Sequence, residues 1–430
     1  MPDDFKSDDL KPNAKFGRNE GGCPVQDWAT DYDVMDEGYT TNPSPVWADL
    51  RERCPVAHTT RWGGSWMPTK YEDIQKLANM VPALSSKTVT VIPPDPVLRE
   101  ELIAELKRYG TENPPITADP PEHSPFKRLI LPFFSPKSVA GYQKMTEDLC
   151  NDLLDKLEAR KAAGDPMCDG AVEYAQQIPP RVIAYILGID MARADEFTQW
   201  TQELLELGQT DPELRRNARH KIMNFFAEEV AARRAAPKDD VISSLLEAEV
   251  EGEKLSDHKV AGICNLLLVA GIDTTWSSIG AALFHFSTHA KDRHRIAAEP
   301  ELLPTAVEEL LRFYSPVTMA RKVTEEIEFE GVSMKPGEKV LMTFPAANRD
   351  PAVFENPDEV ILDRQQNRHI AFGTGIHRCA GSNLARMELQ VALRLWFQRF
   401  PDFEMACPEG VTWAGGQVKG PRNVPLRLLG

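Results

Sequence analysis

The sequence predicts a mainly α-helical protein with a smaller β region. Three observations carry that expectation. Helical apolar spacing dominates from residue 137 to 290. One stretch within it, 256–289, is apolar nearly all round its middle, as a helix through the centre of a large protein is. Short strand-like runs lie outside that block, at 56–61, 65–69, 327–329 and 339–343, each flanked by Gly or Pro as in hairpins.

Residues 1–25 are polar, charged and glycine-containing, and read as a flexible tail. No repeat or low-complexity linker divides 26–430, which is expected to form a single domain. Residues 84–121 are proline-rich and read as a long loop carrying a short helix at 97–108; loops of that length tend to be functional. For the long helix, Ser256 is the expected N-cap with Asp257 in the first turn. It would run roughly 50 Å at 1.5 Å per residue. Yet Gly271, Asp273, Thr274 and Thr275 stand in its middle, where a glycine and an acid are poor choices. Local rules usually fail at functional sites.

With 430 residues, 42% hydrophobic and 27% charged, the chain has the composition of a soluble globular protein. Its net charge of −16 argues against nucleic acid and against docking on an anionic membrane. The N-terminus shows no apolar signal-like region, and the apolar run at 261–272, interrupted by Asn265, is far shorter than the roughly 20 residues of a membrane span. A cytoplasmic monomer with no membrane contact is expected. Seven scattered cysteines without a CxxC pair suit reduced thiols rather than a disulfide framework or a zinc ribbon.

The strongest motif is Phe372-Gly373-Thr374-Gly375-Ile376-His377-Arg378-Cys379-Ala380-Gly381, followed by a helical pattern from Ser382. Gly373, Gly375 and Gly381 permit tight turns and close approach beside Cys379. Placed at a helix start, Cys379 would meet free N–H groups and a favourable dipole, which lower a thiol pKa. A thiolate so held suits heme iron. A chance match to F-G-x-G-x-H-x-C-x-G has odds on the order of one in ten million per position. No second ligand pair near His377 and Cys379 supports zinc.

With this loop the chain resembles the cytochrome P450 family, from about residue 30 to the end. The resemblance implies a P450-like fold with a long central helix over a buried heme b (iron protoporphyrin IX), ligated by Cys379. It implies a structural ion-pair network of Glu309 and Arg312, the family's E-x-x-R pair, with Arg364. Ala270-Gly271-Ile272-Asp273-Thr274 is similar to the central-helix signature, where members often widen or kink the helix. There Ala270 and Gly271 would let the helix approach the heme, Thr274 would hydrogen-bond toward oxygen, and Asp273 would pass protons in from water. Heme propionates would be held by Arg321, His377 and His123, with Lys127 standing where the family has arginine; lysine pairs with a propionate but cannot fork to it. Arg128 is expected in solvent. Phe372 and Gly381 would complete the heme contacts.

Family matching puts Leu266, Val269, Val317, Thr318, Gln417 and Val418 in the substrate pocket, with residues 89–94 covering it. The lining implies a hydrophobic small organic substrate, hydroxylated, dealkylated or epoxidised with O2. No flavin, nicotinamide or iron–sulfur motif remains, so electrons would come from a ferredoxin or flavodoxin-type donor with its reductase. Lys127, Arg128 and Arg378 would form a local basic patch to steer that donor. Two other readings stay open: a heme-thiolate peroxygenase or coupling enzyme, and a non-catalytic heme-binding sensor.

Overall fold

The computed structural model describes residues 24–87, 89–109 and 113–429. The expected tail therefore falls outside the described residues except for Pro24 and Val25. The helix at the centre spans Asp257–Thr288, and Ser256 caps it by accepting a hydrogen bond from the Lys259 N–H. Helices Ile178–Leu187, Pro212–Ala235 and Ser382–Arg399 pack around it. That wrapping explains an apolar surface reaching far round the helix: Ile263, Cys264, Leu267, Leu268, Ile272 and Trp276 are all buried, at positions spread over more than half its circumference. By length and composition this helix passes for a membrane span, but most of it is enclosed by protein.

The β region is a five-stranded sheet in the order Val56–Thr59, Ser65–Pro68, Lys339–Met342, Met319–Val323, Leu84–Ser85. The first two form the expected hairpin, with Val56 opposite Pro68 and Thr59 opposite Ser65. Its connection runs through Trp62, Gly63 and Gly64, all at positive φ. Ile327–Phe329 leaves this sheet and pairs with Val332–Met334 in a separate hairpin. The loop helix is Pro96–Tyr109. One apolar core fills the helical block, and a second, including Ile74, Leu84, Val323 and Val340, lies against the sheet. Between them lies a cavity of about 460 Å³, walled by residues of both cores.

Chain passage toward the cysteine loop is governed by Glu309 and Arg312 on helix Leu303–Phe313. Arg312 donates to both Glu309 carboxylate oxygens (2.8 Å each) and to the carbonyls of Asn348, Pro357 and Glu359. Glu309 also accepts from Arg364 Nε (2.9 Å), the Ile361 N–H and Asn367. The neighbouring Glu308 grips His369 and Arg386. Burial alone would raise Glu308, but those two bonds reverse it and take its pKa down to about 2.

Lys339 is buried in the sheet, and its Nζ donates to the carbonyls of Trp62 and Val91 (2.9 Å each). Burial, aided by the charge of Arg99, lowers its pKa to about 7. An unfolded lysine titrates near ~10.4, so between these values the unfolded chain holds a proton that the folded chain does not. Stability should therefore rise with pH across that window. Lys339→Met should flatten that rise in urea melts run from neutral to alkaline pH; an unchanged slope would sink the assignment.

Candidate active site

The cysteine loop is shaped by two glycines that need positive φ, Gly373 (+70°) and Gly375 (+67°). A Cβ on Gly375 would also stand 2.7 Å from Asn79 Oδ1. Gly381 differs: its φ is −84°, and an added Cβ would sit 3.9 Å from Cys379 Sγ, ordinary contact in the protein alone. The loop closes when the Cys379 N–H donates to the Phe372 carbonyl (2.8 Å). Cys379 precedes helix Ser382–Arg399 by three residues rather than opening it. Its side chain keeps accessible surface, and that surface faces the cavity it lines. Contrary to the sequence expectation, burial raises the thiol pKa; the Gly381 N–H and the charges of Lys127 and Arg378 oppose this without reversing it.

Ala270, Gly271, Thr274, Thr275 and Ser278 of the central helix also line the cavity. The helix is neither widened nor broken there: it runs as α-helix from Asp257 to Thr288. Thr274 Oγ1 donates to the Ala270 carbonyl (2.9 Å), satisfying its own helix. Gly271 makes room for a helix neighbour, since its Cβ would meet Ile183 at 3.3 Å.

Three basic side chains stand at the cavity edge, and two of them, His123 and Arg321, are buried. His123, 2% exposed, has no partner at either ring nitrogen among the described residues, and its ring lies 4.4 Å from that of His377. Burial, then the charge of Lys127, brings its pKa to about 4. His377 bonds Ser86 Oγ (2.8 Å), and burial with the charge of Arg321 takes it to about 3. Arg321, 4% exposed, gives Nη1 to its neighbouring Ala320 carbonyl, while Nε has no partner among the described residues; burial lowers it to about 10. An apolar cavity with a thiol facing it and buried bases with unpartnered nitrogens at its edge suits a flat, largely apolar group with a metal at its centre and carboxylates on its rim.

The cytochrome P450 family model matches residues 207–410. The polyketide biosynthesis cytochrome P450 PksS of Bacillus subtilis (strain 168) is 31% identical, over 90% of this chain and 96% of that one. The mycinamicin IV hydroxylase/epoxidase of Micromonospora griseorubida is 31% identical over 88% and 94%. The solved structure of PksS superposes with a TM-score of 0.81 at 30% identity, covering 93% of this chain and all of that one. The chain belongs to the cytochrome P450 family. It is a bacterial-type P450 monooxygenase, and the cofactor of that family is heme b.

Within this P450, Leu266, Val269, Val317, Gln417 and Val418 line the cavity, as do Val89, Thr90 and Pro94. Thr318 does not. Val317 bridges Val418, and the Thr318 N–H donates to the Gln417 carbonyl, so extended backbone alternates and turns Val317 and Met319 inward while Thr318 points away.

Asp273 stands off the cavity. It is 2% exposed, does not line the cavity, and lies 2.9 Å from Arg422, with Ser277 also donating to it. Arg422 in turn pairs with Glu206. Burial raises the Asp273 pKa, opposed by Arg422. Lys127 reaches back to the carbonyls of Ile376 and Arg378 in the cysteine loop, and Arg128 is exposed as expected. Leu98, Leu102, Asn113 and Asn265 line the cavity beyond the sequence expectation; the spacing of the two leucines on Pro96–Tyr109 is the signal that could have found them.

Arg321 separates cofactor binding from folding. Removing a buried, partly unpaired cation should not weaken the heme-free protein, whereas it should weaken the hold on an anionic rim. Arg321→Leu should leave the melting temperature of the apoprotein unchanged or higher, and should speed heme transfer to apomyoglobin by about tenfold or more, the loss of one charge-assisted bond. Equal heme retention would remove Arg321 from that role.

Proposed function

We propose that this P450 inserts one atom of O2 into a hydrophobic small organic substrate, drawing electrons from a separate ferredoxin- or flavodoxin-type donor. The observation that carries the reading is the opening of Cys379 onto an apolar cavity that Thr274 also lines, with His123 and Arg321 buried and incompletely satisfied at its edge. Heme b, when bound, supplies the iron at which O2 is activated.

Cys379 is the iron ligand in this proposal, and Ala270, Gly271, Phe372 and Gly381 flank the ring. His123, His377, Arg321 and Lys127 take the propionates. The apolar walls hold substrate and exclude bulk water, which preserves the directed use of protons. Thr274 Oγ1 now holds its proton against the Ala270 carbonyl, within reach of the cavity. It is the hydroxyl from which a proton can be passed on. Asp273 stands behind it and joins the relay only when Arg422 releases its carboxylate. Arg378 and Arg128 are exposed, and with Lys127 they offer a basic patch on a chain of net charge −16, which supports an acidic electron donor. A peroxide-driven reaction is the second reading, favoured by the placement of Asp273 off the cavity.

The reduced protein with carbon monoxide should show the thiolate-ligated Soret band, and Cys379→Ala should lose it; a histidine-type band in wild type would sink the proposal. Thr274→Ala should retain heme, release reducing equivalents as hydrogen peroxide, and form product about a hundredfold more slowly, the lower range for a positioned proton donor. If the variant matches wild type in product per electron, Thr274 is not the donor. Faster turnover with hydrogen peroxide alone than with NADPH and redox partners would favour the second reading.

A further inference from the structure

Outside the cavity wall, Glu308, His369 and Arg386 close a ring of contacts around Phe372, the first residue of the cysteine loop. Arg386 lies on helix Ser382–Arg399, and its Nε and Nη2 fork onto the Glu308 carboxylate (2.6 and 2.8 Å). His369 donates Nε2 to the same carboxylate (3.0 Å), while its Nδ1 accepts the Ala371 N–H (3.2 Å), one residue before Phe372. The Arg386 guanidinium stands 4.5 Å from the centroid of the Phe372 ring. Phe372 lines the cavity and Arg386 does not, so the cation sits outside the wall with the ring as its neighbour. The Phe372 carbonyl in turn accepts the Cys379 N–H (2.8 Å).

An exposed Glu–Arg pair is worth little, because water competes for both partners and two long side chains must be ordered. Here the His369 side chain is 2% exposed, and those of Glu308 and Arg386 keep less than a third of their surface. Three N–H bonds hold the Glu308 carboxylate ionised despite its burial. A guanidinium forked onto a carboxylate and stacked on a ring has its place fixed, where an ammonium would be a mobile point charge. The charge of Arg386 also acts on Cys379, favouring a thiolate against burial.

We propose that Arg386, tethered by Glu308 and His369, is a positioning residue: it holds one positive charge over Phe372 and so sets how readily the cofactor at Cys379 accepts an electron. One electron arriving from the separate donor makes the cofactor and its thiolate more negative, and a cation fixed nearby favours that product. No bond forms or breaks at Arg386 and no proton leaves it. This inference rests on the heme-thiolate reading above.

The test is anaerobic equilibration of the heme-loaded protein with the redox dye safranin T, read as the constant for one-electron reduction of the heme by the reduced dye. Arg386→Met should lower that constant by about three- to tenfold, the worth of one cation held on a ring. In a Glu308→Gln background the same substitution should leave it nearly unchanged, because the untethered guanidinium already swings into solvent. The cycle cancels the charge of Glu308 itself. Should Arg386→Met not hold heme, Arg386→Lys, which keeps the charge without the fork, reads the same cycle.

A purely structural clamp would lower the melting temperature and leave the constant where it is; that result overturns the inference. So does a rise in the constant, an equal fall in both backgrounds, or loss of heme from both Arg386 variants. The carbon monoxide spectrum of wild type is recorded first. Absence of the thiolate band there defeats the underlying reading; its presence with an unmoved constant defeats the clamp alone.

Discussion

Arg312 is fully buried, and all five of its N–H donors are used: three by backbone carbonyls and two by Glu309. A buried guanidinium tolerates nothing less, because one left unpaired costs about 3–5 kcal/mol. That demand fixes where Asn348, Pro357 and Glu359 pass, and Glu309 fixes Ile361, Arg364 and Asn367 in the same way. Asn348 then takes the Ile370 N–H (2.8 Å), two residues before Phe372. The cysteine loop therefore enters from a segment that has little freedom to be elsewhere. Its other end is gripped by Glu308 through Arg386, whose guanidinium also stacks 4.5 Å over the Phe372 ring.

Where the network is saturated, the cavity is not. His123, Arg321, Asn265 and Glu388 each line the cavity, and each carries a buried polar atom without a partner among the described residues. Natural interiors satisfy most buried polar groups, so four such residues around one apolar space mark it out from the rest of the interior. The two basic residues attend the cysteine side, His123 against the His377 ring, where anionic groups fit.

How much of this was legible in the sequence follows from how local each feature is. The turns of the cysteine loop, the Ser256 cap, the Glu309–Arg312 spacing and the strand runs depend on residues close in the chain and are found where they were read, although Cys379 stands three residues before its helix instead of at its start. Resemblance brought Arg364 to Glu309 and most of the pocket residues to the cavity. The failures are features decided by partners remote in sequence. Asp273 turns from the cavity toward Arg422, on the strand Gly420–Asn423 packed against the helix. Thr318 misses the pocket by one step in an extended segment, where one step reverses the face.

The thiol of Cys379 shows why local chemistry alone misleads. Its loop supplies an N–H and two nearby cations, all of which favour a thiolate, yet enclosure outweighs them. The same enclosure pushes His123, His377 and Arg321 toward their neutral forms. Acid and bases are thus pushed in the direction of their neutral forms by one cause, around one cavity, though Arg321 at about 10 keeps its charge at neutral pH. A group with a cationic metal at its centre and carboxylates at its rim reverses both at once: the metal stabilises a thiolate, and the carboxylates stabilise protonated bases. The protein therefore gains stability by binding it, in proportion to how poorly the empty site satisfies its own charges. The unpaired residues that look like a fault of the fold are, on the function proposed above, what would couple the fold to its cofactor.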